Sequence, residues 1–178
     1  MQAQEQLDGI QGVVAELIHV PKEFEIAIEI VLGNSLQNIV TETDADAREA
    51  VAYLKEKQAG RATFLPLDAL RTSSMRTRDL VLLEQEGVVG IASNLVHCEP
   101  KYRDMVQYLL GRVVVTKDLD TAVALGRELG SYARIVTLEG DTVSPGGAIT
   151  GGSLPKNDGS GLLQRRQQVG RLEKAIRE

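Results

Sequence analysis

The chain has 178 residues, 43% of them hydrophobic, with no Trp, two Phe and four Tyr, so any core must be aliphatic. Its formal net charge is −5, distributed as −7 over residues 1–60, −1 over 61–161 and +3 over 162–178. This excludes a nucleic-acid binder by bulk charge, the lone Cys98 excludes an internal disulfide, and no apolar run is long enough to span a membrane.

In chain order, residues 1–8 are polar apart from Leu7 and read as a helical stub ended by Gly9 and Gly12; no secretory signal is visible. Val13 to Ile18 reads as one short buried strand. Phe24, Ala27, Ile28, Val31 and Leu32 share one face of a helix that Gly33 stops. Leu36 to Thr41 reads as a strand, and Thr43 or Asp44 caps the next helix, whose apolar stripe is Ala47, Ala50, Val51 and Leu54. Arg61 to Leu65 is a strand closed by Pro66. Asp68 to Asp79 is irregular and carries Arg71, Arg76 and Arg78. Val88 to Ala92 reads as a strand, and Asn94 to Pro100 as a connection holding His97 and Cys98. Tyr102 to Leu110 is a helix, Val113 to Val115 the clearest strand, and Asp118 or Asp120 caps the helix that Gly130 ends. Ile135 to Leu138 is a further strand, followed by a turn at Glu139-Gly140-Asp141.

A repeat runs through this order. Phe24…Leu32-Gly33 lies over Tyr102…Leu110-Gly111 at an offset of 78; Thr41, Ala47 and Leu54 lie over Thr116, Ala122 and Leu129 at 75. Two pseudo-equivalent halves follow, an α/β (α+β mixed) fold with mixed sheets covered by helices. The expected division is a stub at 1–8, one subdomain at 9–95, a second at 96–160 and a stub at 161–178. In the last segment Leu162, Val169 and Ile176 recur every seven residues with Leu172 between, as in a coiled coil.

Between the second half and that tail lies Val143-Ser144-Pro145-Gly146-Gly147-Ala148-Ile149-Thr150-Gly151-Gly152-Ser153. Its glycines can make a turn, cradle an anion, or let a partner backbone approach closely. No Lys follows the glycine pairs, and no phosphate-loop or dinucleotide fingerprint is present. His19 and His97 are far apart in sequence, so a Cys/His zinc cluster has no support, and no catalytic set, metal or cofactor is expected. The tail's Arg165, Arg166 and Arg171, with Lys156 before them, are the stronger candidates for phosphate contact.

Three segments in order, Leu32-Gly33-Asn34-Ser35-Leu36-Gln37-Asn38-Ile39-Val40, Gly60-Arg61-Ala62-Thr63-Phe64-Leu65-Pro66-Leu67 and Pro145 to Ser153, resemble the hinge domain of structural-maintenance-of-chromosomes (SMC) proteins of prokaryotic type. The resemblance implies a non-catalytic domain in the middle of a long ATPase, cytoplasmic and chromosome-associated, with ATP bound only at distant heads. It implies that the domain joins two coiled-coil arms, pairs with a second copy into a homodimer, and binds DNA weakly near the arm junction. It assigns Gly146, Gly147, Gly151 and Gly152 to the dimer interface with Val143 and Ile149 as apolar neighbours, and DNA contact to Arg165, Arg166, Arg171 and Lys156. The competing reading is a small-ligand enzyme with a glycine-rich anion-binding loop.

Overall fold

The computed structural model describes residues 7–154 together with residues 161, 163, 166, 169, 172, 175 and 176. Its first half runs β1 (Ile10–Val13), α1 (Val14–Leu17), β2 (Ile18–His19), α2 (Glu25–Leu32), β3 (Ile39–Thr41), α3 (Asp44–Glu56) and β4 (Phe64–Pro66). The second runs β5 (Val88–Ile91), α4 (Ala92–Leu95), β6 (His97–Cys98), α5 (Arg103–Leu110), β7 (Val113–Thr116), α6 (Leu119–Leu129) and β8 (Arg134–Thr137), then adds β9 (Thr142–Val143) and β10 (Ile149–Thr150).

The two halves repeat each other in topology. One sheet has the order β1-β3-β4, the other β10-β9-β8-β7-β5. In each, the first strand pairs antiparallel with the second, with a register shift, and the second pairs parallel with the third. The parallel pairs β3/β4 and β7/β8 are joined through α3 and α6, the crossover a parallel connection needs. Agreement extends to single bonds: Thr41 Oγ1 donates to the Thr43 carbonyl, and Thr116 Oγ1 to the Asp118 carbonyl. Likewise the Glu42 N–H donates to the Gly9 carbonyl and the Lys117 N–H to the Gly87 carbonyl.

A third, two-stranded sheet joins the halves: β2 pairs antiparallel with β6, Ile18 opposite Cys98 and His19 opposite His97. One core cluster crosses this junction, from Val14, Ile28 and Val40 through Met105 and Val115 to Val136 and Leu163. A second packs α6, through Ala122, Leu125 and Leu129, on Val114, Ile135 and Val143 of the larger sheet.

Several expected elements differ. Val13 to Ile18 is the end of β1, a single helical turn and the start of β2, because so short an apolar run carries no periodicity to separate strand from helix. Leu36 belongs to a 3-10 segment, Gly33–Gln37, and the strand starts at Ile39. The strand expected at Arg61 to Leu65 is Phe64–Pro66. The connection expected at Asn94 to Pro100 holds the end of α4 and all of β6. Since β5 and α4 belong to the second half's sheet and its packing, a division at 95/96 cuts through that half. Leu7 and Asp8 lie in a turn leading into β1, and the rest of the expected N-terminal stub lies outside the described residues. In the tail, the described residues 163, 166, 169, 172, 175 and 176 are helical. Leu163 is the buried anchor there; Leu162 lies outside the described residues.

Candidate self-association surface

The glycine stretch is a β-hairpin at the end of the larger sheet. β10 pairs antiparallel with β9, Ile149 opposite Val143 and Thr150 opposite Thr142. Ser144 to Gly147 makes the turn: the Gly147 N–H donates to the Ser144 carbonyl at 2.9 Å, with Pro145 and Gly146 in the two central positions. Gly146 has φ +99°, the value that a type II turn demands after proline and that glycine supplies without strain. Gly147 follows at φ +101°, and the Ser144 N–H then donates to the Ala148 carbonyl at 2.8 Å.

The second glycine pair does different work. A Cβ on Gly151 would lie 2.2 Å from Asp141 Oδ1, so this glycine lets the strand pass over the Asp141 carboxylate. Gly152, at φ +126°, donates its N–H to the same oxygen at 3.3 Å. A Cβ on Gly146, Gly147 or Gly152 would meet nothing within 4 Å, so that side of each backbone is open. The groove beneath holds Arg134, Asp141, Thr142 and Leu154. With a carboxylate already accepting the Gly152 N–H, a bound anion would meet like charge, which weighs against the anion-cradle reading.

The two apolar neighbours separate. Val143 is 4% exposed and packs in the α6 cluster, so its side chain belongs to the chain's own core and not to the outer face. Ile149 is 55% exposed, because β10 lies one strand beyond the part of the sheet that α6 covers. Strand alternation also fixes the backbone: Ala148 faces Ser144 across the hairpin, so the N–H and C=O of Ile149 point to the free edge.

β4 is the outer strand of the smaller sheet. The Thr63 carbonyl accepts from the Ile39 N–H and the Leu67 N–H donates to the Thr41 carbonyl, both inward to β3. Alternation therefore turns the backbone groups of Phe64 and Pro66 outward, and Pro66 sits where a missing N–H leaves no ladder bond unmade. In the second half β9 covers the equivalent edge, that of β8. The first half has no counterpart among the described residues.

Of the basic residues expected at DNA, Arg165, Arg171 and Lys156 lie outside the described residues. Arg166 is partly exposed and forms an ion pair with Glu16 of α1. Of the other arginine group, Arg71 and Arg78 are exposed, whereas Arg76 pairs with buried Asp79 at 2.5 Å and stacks together with Arg112 on Tyr132, 4.1 and 4.4 Å from its centre. His19 and His97, far apart in sequence, stand opposite each other with ring centres 6.4 Å apart. Phe64 and the histidine pair were missed because each is placed by a strand distant in sequence, and Asp141 because its contact with Gly151 and Gly152 forms only when the β9–β10 hairpin closes.

The family described as SMC proteins Flexible Hinge Domain matches residues 7–126. The chromosome partition protein Smc of Bacillus subtilis (strain 168) is 45% identical over 179 residues, covering 100% of this chain and 15% of that protein. That of Methanocaldococcus jannaschii is 40% identical, covering 83% of this chain and 12% of that protein. This chain thus spans about 15% of the length of the first of these relatives. Among solved structures it is similar to the Geobacillus stearothermophilus SMC hinge domain, crystallised as an asymmetric dimer, with TM-score 0.87 and 42% identity over 98% of this chain and 69% of that one. It is also similar to the Pyrococcus furiosus SMC hinge domain, with TM-score 0.69 and 30% identity over 89% of this chain and 84% of that one. The repeated sheet topology, the match over residues 7–126 and these neighbours agree, and the chain belongs to the SMC hinge family.

Proposed function

We propose that this chain is a non-catalytic hinge of a chromosome-partition SMC protein, and that it self-associates by pairing β10 of one copy with β4 of another. The observation that carries this is the outward backbone and exposed side chain of Ile149 on an edge strand flanked by glycines. An added strand satisfies edge N–H and C=O groups that are otherwise an aggregation hazard. β4 is the fitting acceptor, because a strand laid on it would reproduce in the first half what β9 does for β8 in the second. Each copy offers one β10 edge and one β4 edge, so two copies close on themselves with two equivalent seams. The asymmetric dimer of the Geobacillus relative supports a paired assembly. Weak, salt-dependent DNA binding by Arg165, Arg166, Arg171 and Lys156 near the start of the tail belongs to the same reading.

The solution mass tests the pairing. The wild-type chain is expected near twice 19.3 kDa by sedimentation at micromolar concentration. Ile149→Lys places a charge on the exposed edge without touching the chain's own core, and should give a folded species near one times that mass. A monomeric wild type, or an unchanged Ile149→Lys dimer, rejects the pairing. Alanine at Gly151 and Gly152 is a less clean probe, because it meets Asp141 at one position and a positive φ at the other.

A further inference from the structure

The sheet that joins the halves carries chemistry that self-association does not use. β2 and β6 are only two residues each, and their alternation is strict: Ile18 is buried and Cys98 partly so, while His19 and His97 are both exposed. Under the repeat's offset of 78, residue 19 maps onto residue 97 and the pair Ile18/Cys98 onto Val20/Val96. The two imidazoles therefore straddle the pseudo-twofold axis, one contributed by each half. Their rings are tilted by 31° with centres 6.4 Å apart.

We propose that His19 and His97 form a two-histidine site for a late first-row divalent cation, of the class of zinc, nickel or copper, that clips the two halves together. Directly opposed residues on antiparallel strands bring their Cβ atoms within about 4.5–5.5 Å, which two imidazoles can close around one ion. With metal–nitrogen bonds of about 2.0–2.1 Å, two ring centres sharing an ion lie roughly 5–6.5 Å apart, so little rearrangement is required. Neutral imidazole suits these ions and not calcium or magnesium, which take oxygen ligands. Cys98 is not a third ligand, because it alternates to the core side of the strand pair. Among the described residues no third His, Cys, Asp or Glu joins the pair, so water completes the coordination shell. The site is exposed and needs no opening of the fold.

Because one ligand comes from each half, binding should tighten the junction as well as capture the ion. The test is calorimetric titration of the untagged chain with Zn²⁺, with hydrogen exchange followed at the amides of residues 18–19 and 97–98. We expect one zinc per chain and slower exchange at those amides on binding. His19→Ala and His97→Ala should each weaken binding by at least about tenfold and remove the exchange effect. Both side chains are exposed, so the variants should fold; His19→Asn and His97→Asn serve as a second pair if either alanine variant does not. Absence of zinc binding by the wild type overturns the proposal, as does affinity retained in both single variants. Neither result depends on whether two copies pair through β10 and β4.

Discussion

Asp118 and Thr43 hold equivalent places in the two halves, each capping the crossover helix of a parallel strand pair. Thr43 makes a reciprocal capping box with Asp46, while Asp118 accepts the Thr121 N–H at 2.8 Å. That hydrogen bond holds the Asp118 carboxyl below its ordinary 3.8. The sign follows from linkage: a folded value below the unfolded one adds stability above about pH 4 and loses it as the pH falls through the folded value. Asp118→Asn keeps a capping oxygen but cannot titrate. Its urea midpoint should therefore fall less steeply than the wild type's between about pH 5 and pH 2. Identical slopes would show that the cap contributes nothing to acid sensitivity. Both caps were legible in sequence, because a cap is a local event between a short polar side chain and a backbone two or three residues on. Gly151 was legible as a glycine but not as the residue that clears Asp141, since that contact spans ten positions.

At the scale of elements, the tail helix is docked on the first half by its near end. Leu163 is fully buried with the α1 and α2 residues of the larger core, and Arg166 reaches Glu16 on α1. Farther along, Val169, Leu172 and Ile176 are exposed. This divides the basic candidates. Arg166 is partly neutralised by its carboxylate partner, so the proposed DNA contact must rest chiefly on its neighbours in sequence. Replacing Arg165, Arg166 and Arg171 together by Gln should weaken duplex binding at low salt. For every phosphate that the variant no longer neutralises, the slope of log affinity against log salt should shrink by about 0.9. Glutamine is preferred to glutamate because a negative charge at 166 would face Glu16 and disturb the dock itself. Filter binding across a salt series measures this; an unchanged affinity and slope would move the contact elsewhere on the chain. The seven-residue spacing marked a helical tail on Leu162, which lies outside the described residues, and did not single out Leu163, which is buried. A periodic pattern gives a helix its apolar stripe without saying where the first turn meets a core built from distant residues.

At the scale of the whole molecule, the repeat was legible because both halves keep the same order of helix, glycine stop, strand, cap and helix. What separates the halves was not: among the described residues the hairpin β9–β10 exists only in the second, and only sheet order reveals that it covers β8 while no described strand covers β4. That asymmetry makes the two edges donor and acceptor, and it yields a complementation test. In a closed pair, each seam joins β10 of one copy to β4 of the other. Ile149→Lys spoils every β10, and Phe64→Pro removes an outward N–H from every β4 while sparing the inward bonds of Thr63 and Leu67. A pair made only of either variant has both seams damaged, so each variant alone should be monomeric. Mixed one to one, they place both lesions in a single seam and leave the other intact. Association should therefore return in the mixture and in neither component, at weaker affinity than the wild type because one seam replaces two. Sedimentation of the mixture against its components reads this directly. If both variants are folded monomers and stay monomeric when mixed, the two edges are not partners of each other. If either variant alone still pairs, its edge lies outside the seam.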